Sequence, residues 1–136
     1  MLPDVLALLF ADNLYRDGSG KYTVQGTYST IGVPFFPWTH PALLVYMAFT
    51  DGKGKVPLRL KLIDAEEARP AVLEESRELW MPSLVGAVAE IAYYSTDVIF
   101  SEAGDYRFQI WSEKLLLRER RLRLYRADVN GRLRRK

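Results

Sequence analysis

The chain has 136 residues, 49% of them hydrophobic and 26% charged, which is the size and composition of one globular domain and excludes a disordered or fibrous chain. It contains no cysteine and one histidine, so disulfide frameworks, thiolate metal sites and cysteine nucleophiles are excluded, and little remains for general acid–base chemistry. Net charge is +2 but unevenly spread: residues 118–136 hold nine Lys or Arg against Glu119 and Asp128, a local +7 that leaves the first 117 residues at −5.

In chain order, the opening MLPDVLALLFADNLY has a short apolar run, but it lacks a basic flank and carries Asp4 and Asp12 on either side, so it reads as a first strand over residues 5–10 rather than a secretion signal. Residues 22–30 form the second strand, reached through RDGSGK, whose two glycines and aspartate suit a hairpin reversal. ALLVYMAFT (42–50) is a long apolar strand. It ends at Asp51-Gly52-Lys53-Gly54, a second hairpin signal, and Val56–Ile63 follows with Leu58, Leu60 and Leu62 alternating with Arg59 and Lys61. In EEARPAVLEESRELW a helical turn competes with a strand, and Pro70 favours a short strand around Val72–Leu79. Residues Val85–Tyr94 place Ala87, Ala89, Ile91 and Tyr93 on one face with Glu90 opposite, and a turn follows at Ser101–Gly104. The last hairpin pairs Asp105–Trp111 with Leu115–Tyr125, where Tyr106, Phe108 and Ile110 alternate with Arg107 and Gln109, and Leu122 and Leu124 with Arg121, Arg123 and Tyr125.

About seven or eight short antiparallel strands with no long helix predict an all-β, immunoglobulin-like sandwich, one domain over residues 1–125 followed by a basic tail over 126–136. Glu102-x-Gly104-x-Tyr106-x-Phe108 resembles the acidic-x-Gly-x-Tyr-x-Cys sequence at the corner entering strand F of immunoglobulin-like domains. Phe108 stands where antibody domains carry cysteine, so aromatic packing replaces any disulfide between the sheets. No apolar run reaches the roughly 20 residues of a membrane-spanning helix, and a cytoplasmic location is the default expectation.

The order of segments also resembles an uncharacterised bacterial family, the domain of unknown function numbered 6941. The opening apolar strand into Ala11-Asp12, GKYTVQGTYSTI, VPFFPWTHP leading into LLVYMAF, and AGDYRFQIW followed by LLLRERRLRL carry the resemblance, over residues 5–125. It implies a small β-sandwich and no activity, cofactor or site residue.

His40, in PWTHP, reads either as a proton donor or ligand in a loop-lined pocket or, with no second ligand at metal spacing, as a turn histidine bonded to backbone. Asp12, Asp17, Asp51 and Asp64 lie at strand ends without the density of a calcium loop, and DGSGK and DGKGKV lack the spacing of phosphate-binding glycine loops. No metal or cofactor is expected. In VPFFPWTHP three prolines hold Phe35, Phe36 and Trp38 close together; exposed, they would form a binding hot spot, and buried, they close one end of the sandwich, the expectation for at least two of the three. Trp80 shares that ambiguity, while Trp111 falls on the polar phase of its strand and is a candidate surface contact.

The terminal run offers Arg121, Arg123, Tyr125, Arg132, Arg134, Arg135 and Lys136 as candidate anion-binding residues, with Tyr125 placed to stack on a base; the alternative is a cationic edge strand that resists aggregation, with a frayed end. The expected role is therefore a non-enzymatic protein-interaction or assembly module, binding a protein partner or itself through a strand edge or the aromatic loop; a nucleic-acid-associated protein is the alternative. An enzyme working through carboxylates has no pair of residues to name. No membrane partner is expected.

Overall fold

A computed structural model describes residues 2–127, and within them every regular element is a strand. These are β1 (Asp4–Arg16), β2 (Tyr22–Tyr28), β3 (Thr30–Val33), β4 (Trp38–Thr50), β5 (Gly54–Asp64), β6 (Leu73–Met81), β7 (Ala89–Phe100), β8 (Gly104–Ser112) and β9 (Leu115–Arg126). They form a four-stranded sheet in the order β2-β1-β4-β7 and a five-stranded sheet in the order β3-β9-β8-β5-β6. The all-β sandwich class is as the alternation predicts. Nine strands are present rather than seven or eight, and one pair, β3 with β9, is parallel.

The inward phases supply the core. Val56, Leu58, Leu60 and Leu62 of β5, Tyr106, Phe108 and Ile110 of β8, and Leu122 and Leu124 of β9 are all buried against Leu8, Phe10, Leu43, Val45, Met47 and Phe49 of the opposing sheet. Each such side chain contributes roughly 1.5–3 kcal/mol of transfer free energy. Aromatic contacts cross the gap: Phe108 meets Phe10 edge to face at 6.1 Å and Tyr93 at 6.0 Å, and Phe100 meets Tyr106 at 5.0 Å. Long cations close the sides of the sandwich, where Arg118 donates to the Val5 carbonyl at 2.9 Å and Arg77 lies over the Tyr93 ring.

The β1–β2 hairpin forms through RDGSGK as expected. Its turn is held by Asp17, whose Oδ1 accepts from the Ser19 amide, the Ser19 hydroxyl and the Lys21 amide. Those bonds, the Ser19 hydroxyl first, hold the Asp17 carboxyl below its ordinary value.

Other boundaries differ from the sequence expectation. β1 continues to Arg16 instead of stopping at residue 10, because β2 pairs with it from Phe10 to Arg16, beyond the end of its pairing with β4 at Ala11. The span 22–30 is broken at Ser29, since the chain leaves the first sheet after Tyr28 and joins the second as β3. Residues 85–88 precede β7 rather than belonging to it: Val85 is fully exposed and Ala87 donates back to Leu84 in a turn, so pairing with β4 begins at Ala89 opposite Phe49. Asp51–Gly54 is not a hairpin but a crossing, since β4 pairs with β1 and β7 while β5 pairs with β6 and β8. A glycine-rich turn specifies reversal, not partner, and here each strand finds its apolar neighbours in a different sheet.

Ser101–Gly104 is likewise a crossing, and the Glu102–Tyr106 segment that leads out of it is tied by a side-chain bond to its own backbone. The Tyr106 hydroxyl donates to the Glu102 carbonyl at 2.6 Å while its ring is buried, and burial pushes the phenol up. Tyr106→Phe leaves the ring in place and orphans that carbonyl, so a loss of about 1–2 kcal/mol is expected in urea unfolding, with the unfolding slope unchanged.

Candidate interaction and anion-binding surfaces

The aromatic loop divides. Phe36 and Trp38 pack partly buried against the core, whereas Phe35 is 56% exposed and meets Trp38 edge to face at 5.6 Å. His40 lies in β4 opposite Val98, not in a turn. Along β7 the buried phase changes from Tyr93 to Val98 and Phe100, with Ile99 left exposed, across Asp97, whose φ of 55° is left-handed. That change brings the His40 ring onto Phe100. The Trp38 indole N–H donates to His40 Nδ1 at 3.3 Å, so the neutral ring carries its proton on Nε2. Burial holds the imidazole below its ordinary value, opposed by a bond with the Ala42 backbone.

His40 lines a pocket of about 530 Å³ together with Asp12, Tyr28 and Thr30, walled by Ile31 and Leu44. Burial and the Asp12 charge push the Tyr28 phenol up to about 12, so it is a donor at neutral pH. Nothing in the sequence signalled this grouping, because it depends on β1 pairing with β4 and on the chain passing over both as it enters β3. Among the described residues no three His, Cys, Asp or Glu side chains gather as metal ligands.

The edges of the two sheets differ in chemistry. β6 is an edge strand covered in charge, with Glu74 bound to Arg59 and Lys61, and Glu78 near Lys55. Trp80 is 63% exposed on it, with the Lys55 ammonium over its ring. β7 is one of the two edges of the other sheet, the shorter β2 being the second; it is twelve residues long and paired only with β4, and its exposed side chains include Tyr94 and Ile99. The face beside it is rich in tyrosine. Tyr46 stacks obliquely on Tyr22 at 5.9 Å and donates to Glu90; Tyr94 donates to the Leu14 carbonyl at 2.6 Å. Burial first, then Glu90, raises the Tyr46 phenol. Leu14, Ala11 and Ala48 are buried without belonging to the core between the sheets.

Trp111 is half-buried on the outer face of the five-stranded sheet, as its phase implied. Its indole N–H donates to Gln109 Oε1 at 2.9 Å, Gln109 Nε2 donates to Glu119 at 2.9 Å, and the Lys61 ammonium sits over its ring.

Arg121 and Arg123 lie beside a groove of about 590 Å³ that also takes in Arg107, Arg120, Glu119, Ser29 and Thr30. Arg107 stands directly opposite Arg121 in the β8–β9 register and binds Glu119 at 3.1 Å. Tyr125 is not a free stacking platform: a β-carbon at Gly32 would lie 2.9 Å from its ring, so the tyrosine covers that glycine. Nor is β9 an edge throughout, because Thr30–Val33 pairs with Arg123–Arg126. Only the stretch before Arg123 lacks a second strand partner, and β3 is too short to reach it. Arg132, Arg134, Arg135 and Lys136 lie outside the described residues.

No curated protein matches the chain. The model of a family of unknown function, DUF6941, matches residues 6–124, which run from β1 through the Glu102–Tyr106 segment and almost to the end of β9, and the chain therefore belongs to that family.

Proposed function

We propose that the domain is a non-enzymatic protein-interaction or assembly module that docks its partner by strand addition along β7. The observation that supports this reading is the long unpaired edge of β7, which carries exposed Tyr94 and Ile99 where β6 carries charge. An edge strand offers a row of backbone donors and acceptors to an incoming strand, and the flanking tyrosines supply amphipathic contact area. β7 carries two charged side chains, Glu90 and Asp97, over its twelve residues, whereas the nine of β6 include Glu74, Glu75, Arg77 and Glu78.

A photo-crosslinking residue placed at Thr96 tests the proposal in a lysate and in the purified protein across a concentration series. Adducts that form at Thr96, and that are lost in Tyr94→Lys/Ile99→Lys, are the expected result. A chain that stays monomeric by light scattering and gives no more adduct at Thr96 than at a control position on β6 refutes the reading. Both lysine substitutions fall on side chains more than half exposed, so circular dichroism should be unchanged.

A further inference from the structure

We infer that the groove between β9 and the β2–β3 connection is a binding site for a compact, multiply charged phosphate-class oxyanion, carried by a small molecule. Four arginines, Arg107, Arg120, Arg121 and Arg123, line it against one carboxylate, Glu119, a local charge of +3. Two of them, Arg107 and Arg121, are placed face to face in the strand register. Like charges directly opposed across a ladder destabilise it, and Glu119 relieves only Arg107, at 3.1 Å. Among the described residues Arg121 has no carboxylate within ion-pair distance, and the Arg123 guanidinium reaches Asp105 only at 3.9 Å. Arg107, Arg121 and Arg123 share the outward phase of β8 and β9, whereas Arg120, opposite Phe108, belongs to the inward phase, and its Nε is buried without an acceptor among the described residues.

The groove also has the right donors. Guanidinium groups present forked N–H pairs that match phosphate oxygens, and the Ser29 and Thr30 hydroxyls add neutral donors at the wall. At one end β3 begins, with Thr30 opposite Arg123. Toward the other end Arg118 is committed to the Val5 carbonyl. A groove of about 590 Å³ is of small-molecule size. It does not suit a polymer track: Glu119 interrupts the positive wall, no aromatic side chain is among the residues that line it, and Tyr125 is laid over Gly32.

Titration calorimetry on the full chain at low salt, with inorganic pyrophosphate, orthophosphate and a single-stranded oligonucleotide as separate titrants, tests this inference. Saturable binding of one pyrophosphate per chain is expected, tighter than orthophosphate, and weakened at least about tenfold by Arg121→Gln, the loss of one charge-assisted contact. Arg59→Gln, which removes an exposed guanidinium on the same sheet but outside the groove, and Arg134→Ser/Arg135→Ser in the tail should each leave that affinity within about twofold. Absence of saturable pyrophosphate binding overturns the inference. So does binding that survives Arg121→Gln, binding lost with the tail arginines, or an oligonucleotide that binds more tightly than pyrophosphate with a steep salt dependence. Far-ultraviolet circular dichroism of Arg121→Gln should match the parent chain, because the Arg121 side chain is exposed.

Discussion

Replacing Phe108 with alanine is expected to remove about 3–5 kcal/mol of folding free energy, a large part of the 5–15 kcal/mol that separates typical native domains from their unfolded chains. Phe108 is fully buried in β8, a central strand of the five-stranded sheet, and its ring meets Phe10 and Tyr93, both in the opposing sheet. Where antibody domains join their sheets through a disulfide, this ring does so by packing. Truncation therefore loses the transfer free energy of the side chain and leaves a cavity at the junction of two rigid layers that cannot close on it. Phe108→Leu keeps most of the volume and should cost about 1–1.5 kcal/mol. Urea titration followed by tryptophan fluorescence separates the two. If the alanine variant lies within about 1 kcal/mol of the parent, the ring is not what ties the sheets together.

Gly26→Ala should be the next most damaging, at about 2–3 kcal/mol, for two separable reasons. The residue has φ of 71°, in the left-handed region that side chains make costly, and an added β-carbon would stand 2.6 Å from Asp12 Oδ2 and 3.0 Å from the Asp12 β-carbon. Adding Asp12→Ala removes the carboxylate contacts but not the backbone cost. The double variant should recover roughly half of the loss, a non-additivity that a double-mutant cycle reads directly. Gly18→Ala provides the contrast, since nothing lies within 4 Å of its would-be β-carbon and its φ is not left-handed; it should be close to neutral. Equal losses at Gly18 and Gly26 would mean that neither contact nor conformation at Gly26 matters.

The candidate surfaces were legible only in part. The basic run at the end of the chain announced Arg121 and Arg123, but the groove needs Ser29 and Arg107, which come from the β2–β3 connection and from β8. The pairing of β3 with β9 that covers Gly32 with Tyr125 could not be read from either segment alone. The aromatic loop showed its composition and not its orientation. Phe35 turns outward while Phe36 and Trp38 turn in, and both choices depend on where the core is once β4 and β7 have paired. His40 was visible as the single histidine, whereas its neighbours Asp12 and Tyr28 were not.

Alternation is a local property, and it determined the class of structure. Leu58, Leu60 and Leu62, and Tyr106, Phe108 and Ile110, are buried because every second residue of an extended chain faces the same way, and the corner at Glu102–Tyr106 closes within five residues of backbone. The choice of partner is not local. Asp51–Gly54 punctuates the chain equally well for a hairpin or a crossing, and the folded chain makes it a crossing, with β4 seated between β1 and β7 and β5 between β8 and β6. Which strands become edges, and hence which surfaces are left for a partner or an anion, follows from that global competition among apolar faces, which only the folded chain resolves.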